Sequence, residues 1–226
     1  SIVNVGHRGL FRYSRILQRK AGNAIPVPVA LIPDRDIPPP EAKELVGDRK
    51  TENELTQDEI AARMKTLRRD VGDPVDAFIA DSWTLEFDLA HRPELAESVH
   101  QAVQLAKTSS RKPEWLAKIP KKASETYAGW KEAGHSATEI AVKIYQPVHD
   151  KEASKAEVAE QLAAILRKRT DTPEQMRDWL PPYLVRAIDY VTGVYVPGAP
   201  ATAPEPDAED EEIGAAGMEG AAAMDG

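Results

Sequence analysis

Three short apolar stretches rich in β-branched residues predict the buried strands of this chain: residues 2–5, 25–32 and 75–80. A helical pattern over residues 10–20 separates the first two stretches. Strand, helix and strand in so few residues predict a parallel sheet with a crossover helix. We therefore expect an α/β fold in which a mostly parallel sheet is flanked by helices.

Helix starts dominate the rest of the chain. A Ser or Thr followed three residues later by Glu or Gln is a capping box, in which each side chain bonds a backbone N–H of the other residue. We expect this pattern to begin four helices, at Thr56 with Glu59, Ser136 with Glu139, Ser154 with Glu157, and Thr172 with Gln175. In the last predicted helix, apolar spacing indicates that the inward residues are Leu184, Ala187, Ile188 and Val191.

The net charge of −8 belongs to the end of the chain. Eight of the 37 acidic residues lie in residues 197–226, which leaves 29 acidic residues against 29 basic ones before them. That segment is also rich in Ala, Gly and Pro, and it predicts a low-complexity acidic tail. The neutral remainder of the chain can still carry a basic face for a nucleic acid.

Composition excludes several classes of protein. The chain has no cysteine, which excludes disulfides, zinc ribbons and thiol nucleophiles. No apolar run reaches the roughly 20 residues of a membrane span. The five histidines lack the spacing of metal ligands, and the chain contains no Walker-type phosphate loop and no Gly-x-Ser-x-Gly elbow. We expect a cytoplasmic protein that does not associate with a membrane.

The strongest chemical signal is Asp34-Arg35-Asp36, directly after the stretch at residues 25–32. Ligands collect at the carboxyl ends of parallel strands, and residues two apart on an extended chain project from the same side. Two carboxylates held that close repel unless a hard cation such as Mg²⁺ or Mn²⁺ neutralises them. Asp34 and Asp36 are therefore candidate metal ligands; the alternative is a pair of solvated loop acids.

Further acidic and basic candidates follow in predicted helices. Asp81 ends the stretch at residues 75–80, and Glu86 lies in the first turn of the next helix, where an acid also suits the helix dipole without any metal. Lys155 lies in the first turn of a later helix, where a positive charge is slightly unfavourable. It is either an ordinary surface lysine or a cation that neutralises a phosphate.

Candidate phosphate contacts complete the set. Arg8 lies in a glycine-flanked turn before the first helix, where free backbone N–H groups can meet a phosphate, and Arg35 lies between the two aspartates. The tight turn with a surface arginine is the alternative for Arg8. A wider basic face for DNA comprises Arg8, Arg12, Arg15, Lys20 and Arg35.

In chain order, these segments resemble the C-terminal half of the OLD (overcoming lysogenization defect) family of ATP-dependent nucleases. The segments that carry the resemblance are Ser1-Ile-Val-Asn-Val-Gly6, Pro28-Val-Ala-Leu-Ile-Pro-Asp34-Arg-Asp36, Trp83-Thr-Leu-Glu-Phe-Asp-Leu-Ala90, Ser154-Lys-Ala-Glu-Val-Ala159 and Leu180-Pro-Pro-Tyr183. The Asp-x-Asp pair is common to Toprim domains in general. The Thr-Leu-Glu-Phe-Asp-Leu block and the late Ser-Lys helix indicate this family among them.

The resemblance implies a Toprim domain with an inserted helical subdomain, which cleaves or nicks DNA with two Mg²⁺ or Mn²⁺ ions. It implies that Asp34, Asp36 and Glu86 are metal-site acids and that Lys155 lies near the reacting phosphate. The implied domains are a Toprim core over residues 1–106 with a helical excursion at about 38–74, a helical subdomain over 107–153, helices returning to the core over 154–196, and the tail over 197–226.

The resemblance also implies parts of a larger protein. Toprim domains begin with a strand followed by a glutamate, and Ser1 corresponds to the start of the second strand. The first strand and the early acids are therefore absent from residues 1–226: either they precede Ser1, or this polypeptide does not assemble the full site. An upstream ATPase domain of the same protein, and a dimer formed elsewhere in it, are expected as well.

Three other interpretations were weighed against this one. A haloacid-dehalogenase-type phosphatase also places Asp-x-Asp after a strand, but it requires Thr or Val where Pro38 stands. A glycosyltransferase Asp-x-Asp explains no other segment of the chain. A degenerate Toprim-like module that binds DNA or a protein without cleavage agrees with the missing early glutamate and the acidic tail.

Overall fold

The computed structural model describes residues 10–18, 27–69, 71–108 and 112–193. Its strands are β1 (Val29–Leu31) and β2 (Val75–Ala77). Its helices are α1 (Leu10–Leu17), α2 (Lys43–Val46), α3 (Gln57–Leu67), α4 (Leu85–His91), α5 (Pro93–Lys107), α6 (Pro113–Leu116), α7 (Ile119–Glu132), α8 (Ala137–His149), α9 (Lys155–Leu166), α10 (Pro173–Trp179) and α11 (Pro182–Thr192), with short 3-10 turns at Pro40–Ala42 and Glu52–Glu54.

Three expectations fall outside the described residues. They are the strand at residues 2–5, the turn that contains Arg8, and the acidic tail from residue 197. The helix expected over residues 10–20 is present as α1, and its last predicted turn also lies outside them.

The two strands form a parallel pair, with Val29 opposite Val75, Ala30 opposite Asp76, and Leu31 opposite Ala77. Backbone pairing continues past both strands. The Phe78 N–H donates to the Leu31 carbonyl at 2.8 Å, and the Ala80 N–H donates to the Pro33 carbonyl at 3.1 Å. The parallel pair agrees with the mostly parallel sheet that was expected, although the strand-helix-strand pattern predicted pairing of residues 25–32 with residues 2–5, which lie outside the described residues. The fold is a mixed α/β fold in which helices predominate.

Helices pack on both faces of this small sheet, because successive residues of a strand point to opposite sides. On one side, α1 contributes Leu10, Phe11 and Leu17 to a cluster with the strand residues Leu31, Val75 and Ala77. On the other side, α11 contributes Tyr183, Ala187 and Tyr190 to a cluster with Ala30, Phe78 and Ala80. The sheet is thus the middle layer of a three-layer arrangement, as the α/β prediction requires.

The last helix turns a different face to the core from the one that apolar spacing predicts. Tyr183, Ala187 and Tyr190 are buried, whereas Ile188 and Val191 are 45% and 43% exposed. Both sets repeat at helical spacing, but the tyrosine rings bury more area than aliphatic side chains. The Tyr190 hydroxyl donates to the Pro74 carbonyl at 2.9 Å, whereas the buried Tyr183 hydroxyl has no hydrogen-bond partner among the described residues. The prediction was therefore wrong for Ile188 and Val191.

The larger hydrophobic core lies among α4, α5, α8 and α9. Its largest fully buried side chains are Trp83, Phe87 and Ile144, and the Trp83 ring lies edge-on to that of Tyr145 with centroids 4.8 Å apart. Capping boxes begin three of the helices as predicted, at Thr56, Ser136 and Thr172. At the start of α9, the Glu157 N–H donates to the Ser154 hydroxyl at 3.1 Å.

Within the described part of the chain, every helix is too short or too polar to cross a membrane.

Candidate active site at the end of the parallel strands

Asp34 stands at the carboxyl end of β1, where the next helix approaches. The Leu85 N–H at the start of α4 donates to Asp34 Oδ1 at 3.0 Å. Thr84 caps the same helix by accepting from the Phe87 N–H at 3.3 Å. The Asp34 carboxylate therefore meets the positive end of a helix dipole, which favours a negative charge at that position. This contact fixes α4 against the end of the strand.

Three residues from different elements converge beside this contact. Lys155 is the first residue of α9, and its Nζ lies 2.8 Å from Glu86 Oε2 and 3.6 Å from Asp34 Oδ2. Glu86 is 16% exposed, and its Oε2 atom is buried without a hydrogen bond in the described part of the molecule. One ammonium group thus bridges two carboxylates, and it supplies the charge compensation of the buried Glu86 oxygen.

Burial and charge oppose one another at this cluster. Burial raises the pKa of Asp34, although the Lys155 ammonium and the Leu85 N–H favour its ionised form. Burial disfavours the charge of Lys155, but the neighbouring Glu86 and Asp34 carboxylates outweigh it and raise the pKa of the lysine. Lys155 is therefore a cation at neutral pH.

Tyr145 forms the apolar wall of the cluster. Its ring is buried against Trp83, and its hydroxyl is hydrogen-bonded to the Thr84 side chain. Burial raises the pKa of Tyr145, so that the hydroxyl stays neutral next to Asp34 and Glu86. No sequence pattern pointed to this residue, because it lies within the apolar face of α8 and resembles any other core aromatic.

Asp88 is a second residue that sequence reasoning left without a role. It is 4% exposed, and its carboxylate accepts from the backbone N–H groups of Asp81, Ser82 and Trp83 at 2.9, 3.3 and 3.4 Å. Burial raises the pKa of Asp88 to about 6, against the effect of these three donors. The contact holds the loop between β2 and α4, and with it the start of α4, in one conformation.

Asp36 does not join this cluster. Its N–H donates to the Trp83 carbonyl at 2.8 Å, and its backbone φ is 62°. Its carboxylate lies between two guanidinium groups, 2.6 Å from Arg49 Nη2 and 2.8 Å from Arg63 Nη2. The left-handed residue breaks the alternation on which the same-side expectation for Asp34 and Asp36 depended.

The other candidates have structural contacts. Arg35 is 15% exposed and donates to the Asp81 carbonyl at 3.0 Å, and it pairs with Glu52 Oε1 at 2.6 Å. It therefore joins two loops and presents little surface to a phosphate. Partial burial raises the pKa of the Asp81 carboxyl, although nearby arginines favour its charge. Arg12 and Arg15 lie exposed on α1, whereas Arg8 and Lys20 lie outside the described residues.

A protein-bound metal ion requires several donor side chains that converge on one point. In the residues that the structure describes, no group of three or more His, Asp or Glu side chains converges closely enough to hold one. Asp34 and Glu86 supply carboxylate oxygens, the ligands that Mg²⁺ and Mn²⁺ prefer, and the Lys155 ammonium already places a positive charge 2.8 Å from the buried Glu86 Oε2. These two residues fit a hard cation, and Asp36 does not in this conformation.

Comparisons of the chain with models of protein families, with characterised proteins and with solved structures gave no match.

Proposed function

We propose that this chain is the nuclease region of an OLD-type, ATP-dependent DNA-processing protein, with a Toprim-type core that hydrolyses phosphodiester bonds. The observation that supports it is the convergence of Asp34, Glu86 and Lys155 at the end of two parallel strands. Those residues come from three segments far apart in the chain. Each was selected from the sequence because of the chemistry that cleavage of a phosphodiester requires.

The residues have distinct roles in this proposal. Asp34 and Glu86 hold Mg²⁺ or Mn²⁺, which polarises the phosphodiester and lowers the pKa of an attacking water. Lys155 places a positive charge beside the reacting phosphate, where negative charge grows in the transition state. Tyr145 and Asp88 keep α4 in place, and so they position Glu86 without touching the substrate.

The larger setting belongs to the same proposal. DNA is the substrate, the same polypeptide carries an ATPase domain, and further acids of the Toprim domain complete the set of metal ligands. Asp36 becomes a further metal ligand once its carboxylate no longer pairs with Arg49 and Arg63. The protein acts in the cytoplasm, as a dimer formed by other parts of the polypeptide.

A second candidate function is a Toprim-like module that binds DNA or a protein without cleaving it. The observation that favours this candidate is the ion pair itself, because the Lys155 ammonium already lies between Glu86 and Asp34 and offsets part of their negative charge. Carboxylates compensated in this way need no metal ion to be stable. The two candidates differ in whether divalent metal changes the covalent structure of DNA.

The deciding experiment incubates supercoiled plasmid with the full-length protein and with Mg²⁺ or Mn²⁺. We expect metal-dependent conversion to nicked or linear DNA, which is prevented by a chelator. Glu86→Gln and Lys155→Met each lower the rate by at least about a hundredfold, the usual loss when one charge-stabilising group is removed from such a site.

Matched control residues lie on α9, the helix that begins at Lys155, and just after its end. Glu160 and Lys168 are exposed, and Glu160→Gln and Lys168→Met repeat the two charge changes away from the cluster. Both controls should nick plasmid at the wild-type rate. Intact plasmid with a folded, metal-loaded wild-type protein would favour the module that binds without cleavage.

A further inference from the structure

We propose that Arg49 and Arg63 form a binding site for a phosphodiester group of the DNA strand, and that the Asp36 carboxylate occupies this site in the free protein. The inference depends on the proposed function only for the identity of the ligand, because DNA is the source of phosphodiesters in that proposal. It concerns binding, which does not require cleavage.

The two arginine side chains converge on one carboxylate, in the way that arginines bind the oxygens of an anion. Arg49 Nη2 lies 2.6 Å from Asp36 Oδ1, and Arg63 Nη2 lies 2.8 Å from Asp36 Oδ2. Each carboxylate oxygen therefore has its own guanidinium group. A phosphodiester presents two non-bridging oxygens in a similar arrangement, and arginine is the side chain that suits both anions.

The arginines lie in an open cleft that is large enough for a strand segment. The cleft has a volume of about 370 Å³ and is lined by Asp36, Ile37, Arg49, Lys50, Leu55, Glu59 and Arg63. Lys50 pairs with Glu59 at 2.7 Å, so the free charge of the cleft comes from the two arginines and Asp36. The side chains of Arg49 and Arg63 are 40% and 34% exposed, and solvent can reach them. Displacing Asp36 leaves the cleft positive.

Asp36 is held in this position at some conformational cost. Its φ of 62° is in the left-handed region, which non-glycine residues rarely adopt, although Asp tolerates it better than most. The Arg49 guanidinium also donates to the Asp36 carbonyl, and the Arg63 Nε donates to the Arg35 carbonyl at 3.3 Å. These contacts with the arginines offset the cost of the backbone conformation and stabilise the arrangement.

The position of the cleft links it to the candidate active site. Asp36 is two residues from Asp34, and its N–H is bonded to Trp83, which precedes the capped start of α4. A phosphate that takes the two arginines frees the Asp36 carboxylate beside Asp34 and Glu86. Binding of the strand and completion of the acidic site are therefore coupled, because Asp36 cannot serve both positions at once.

The test measures binding of fluorescein-labelled duplex DNA by anisotropy, with a chelator present so that metal ligation and cleavage play no part. Arg49→Gln with Arg63→Gln should weaken binding on the order of tenfold and lower the slope of log K against log salt by about two. Asp36→Asn should tighten binding by at least about fivefold, because it removes the competing internal anion.

The opposite signs of these two effects are the critical result. A matched control, Lys65→Gln with Arg68→Gln, removes two exposed positive charges near the C-terminal end of α3 that do not line the cleft, and should change affinity and salt slope less than the arginine pair. Circular dichroism and thermal melting show whether each variant is folded, and Arg49→Lys with Arg63→Lys replaces the pair if it is not. Lysines keep the charge but not the two-pronged geometry, and this variant should recover the salt slope without the full affinity.

Several outcomes would overturn the inference. They are undetectable DNA binding by the wild-type protein, Asp36→Asn binding no tighter than wild type, and arginine variants that bind no more weakly than the control pair. Stabilisation of the fold by inorganic phosphate without any DNA binding would also overturn it, since the ligand would then be a small phosphate. If the affinity changes of the variants have the expected signs but the protein never nicks DNA, the proposed nuclease function is contradicted and the phosphodiester site is not.

Discussion

The helical core and the end of the parallel strands are built on different principles. Around Phe87 the core is apolar, its helices begin at regular caps, and its aromatic rings pack against one another. At the strand ends, the contacts of Asp34, Asp36, Glu86 and Lys155 are ion pairs, and one residue has a left-handed backbone. The two regions are adjacent, because α4 contributes Phe87 to one and Glu86 to the other.

This difference indicates which region determines the stability of the molecule and which determines its function. Apolar packing contributes most of the stability of a domain, whereas partly exposed ion pairs contribute little. Residues that break local rules and persist are concentrated at functional sites. We therefore expect substitutions in the core to affect folding strongly and substitutions at the strand ends to affect binding and cleavage.

The largest expected effect is that of Phe87→Ala on the free energy of unfolding. Phe87 is 1% exposed and packs against Trp83, with ring centroids 5.7 Å apart. Removal of a buried phenyl ring costs about 4 kcal/mol, because the surrounding side chains fill the cavity only in part. Urea denaturation followed by circular dichroism measures it.

Ile188→Ala is the matched control for that prediction. It also removes a large apolar side chain from a helix, but Ile188 is 45% exposed, and we expect a change below about 1 kcal/mol. Equal losses at the two positions would show that the helical core does not dominate stability, and the contrast between the regions would fail.

The second-largest expected effect is a dependence of the free energy of unfolding on pH, which is caused by the buried His100 in the helical core. His100 is 3% exposed, lies against the Trp130 ring with centroids 4.8 Å apart, and has no hydrogen bond to Nδ1 in the described residues. Burial lowers the pKa of His100 to about 4, although Glu97 favours the charged form. The unfolded chain therefore binds a proton at a higher pH than the folded chain does.

The sign of the effect follows from that difference. Stability is unaffected by His100 above the unfolded pKa of 6.5, and it falls as the pH is lowered towards 4, by about 3 kcal/mol at most. His100→Leu should remove this part of the acid destabilisation, as measured by urea titrations at several pH values. His135→Gln, a change at the partly exposed start of α8, should leave it in place. The same acid slope in wild type and His100→Leu would contradict the prediction.

The sequence predicted the helical region better than the strand ends, for reasons that differ by residue. Caps are local, so that Thr56, Ser136 and Thr172 were sufficient to place three helix starts. A mostly parallel sheet was expected from strand and helix spacing, but that spacing concerned residues 2–5 and 25–32, so the pairing of β1 with β2 was not itself predicted. On α11, by contrast, two helical faces were apolar, and only contact with the sheet decides between them.

The convergence of Asp34, Glu86 and Lys155 followed from a resemblance and from strand-end positions, both of which are readable in sequence. Asp36 was expected beside Asp34 because an extended chain places both on one side, and its positive φ is a tertiary effect of Arg49 and Arg63. Nothing in the local sequence indicates which arginines meet which acid. The contacts of Tyr145 and Asp88 were missed for the same reason, since they depend on elements distant in the chain.

The smallest expected effect on stability concerns the ion pair between Lys155 and Glu86. A double-mutant cycle with Lys155→Met and Glu86→Gln isolates their interaction from the other changes that each substitution causes. Lys155 is 49% exposed, so solvent screens the pair, and we expect a coupling of about 1 kcal/mol. The pair of Lys107 with Glu152 in the helical region, whose side chains are 40% and 48% exposed, is the more exposed control and should give about 1 kcal/mol or less.

The cycle separates a structural ion pair from a functional one because stability and activity are measured on the same variants. If the cluster is functional, Lys155→Met removes nearly all nicking while it changes the unfolding free energy by about 1 kcal/mol. A coupling well above that of Lys107 with Glu152, together with unchanged nicking, would mean that Lys155 is retained for the fold. The strand ends would then contribute to stability as the core does, and the distinction between the two regions would not hold.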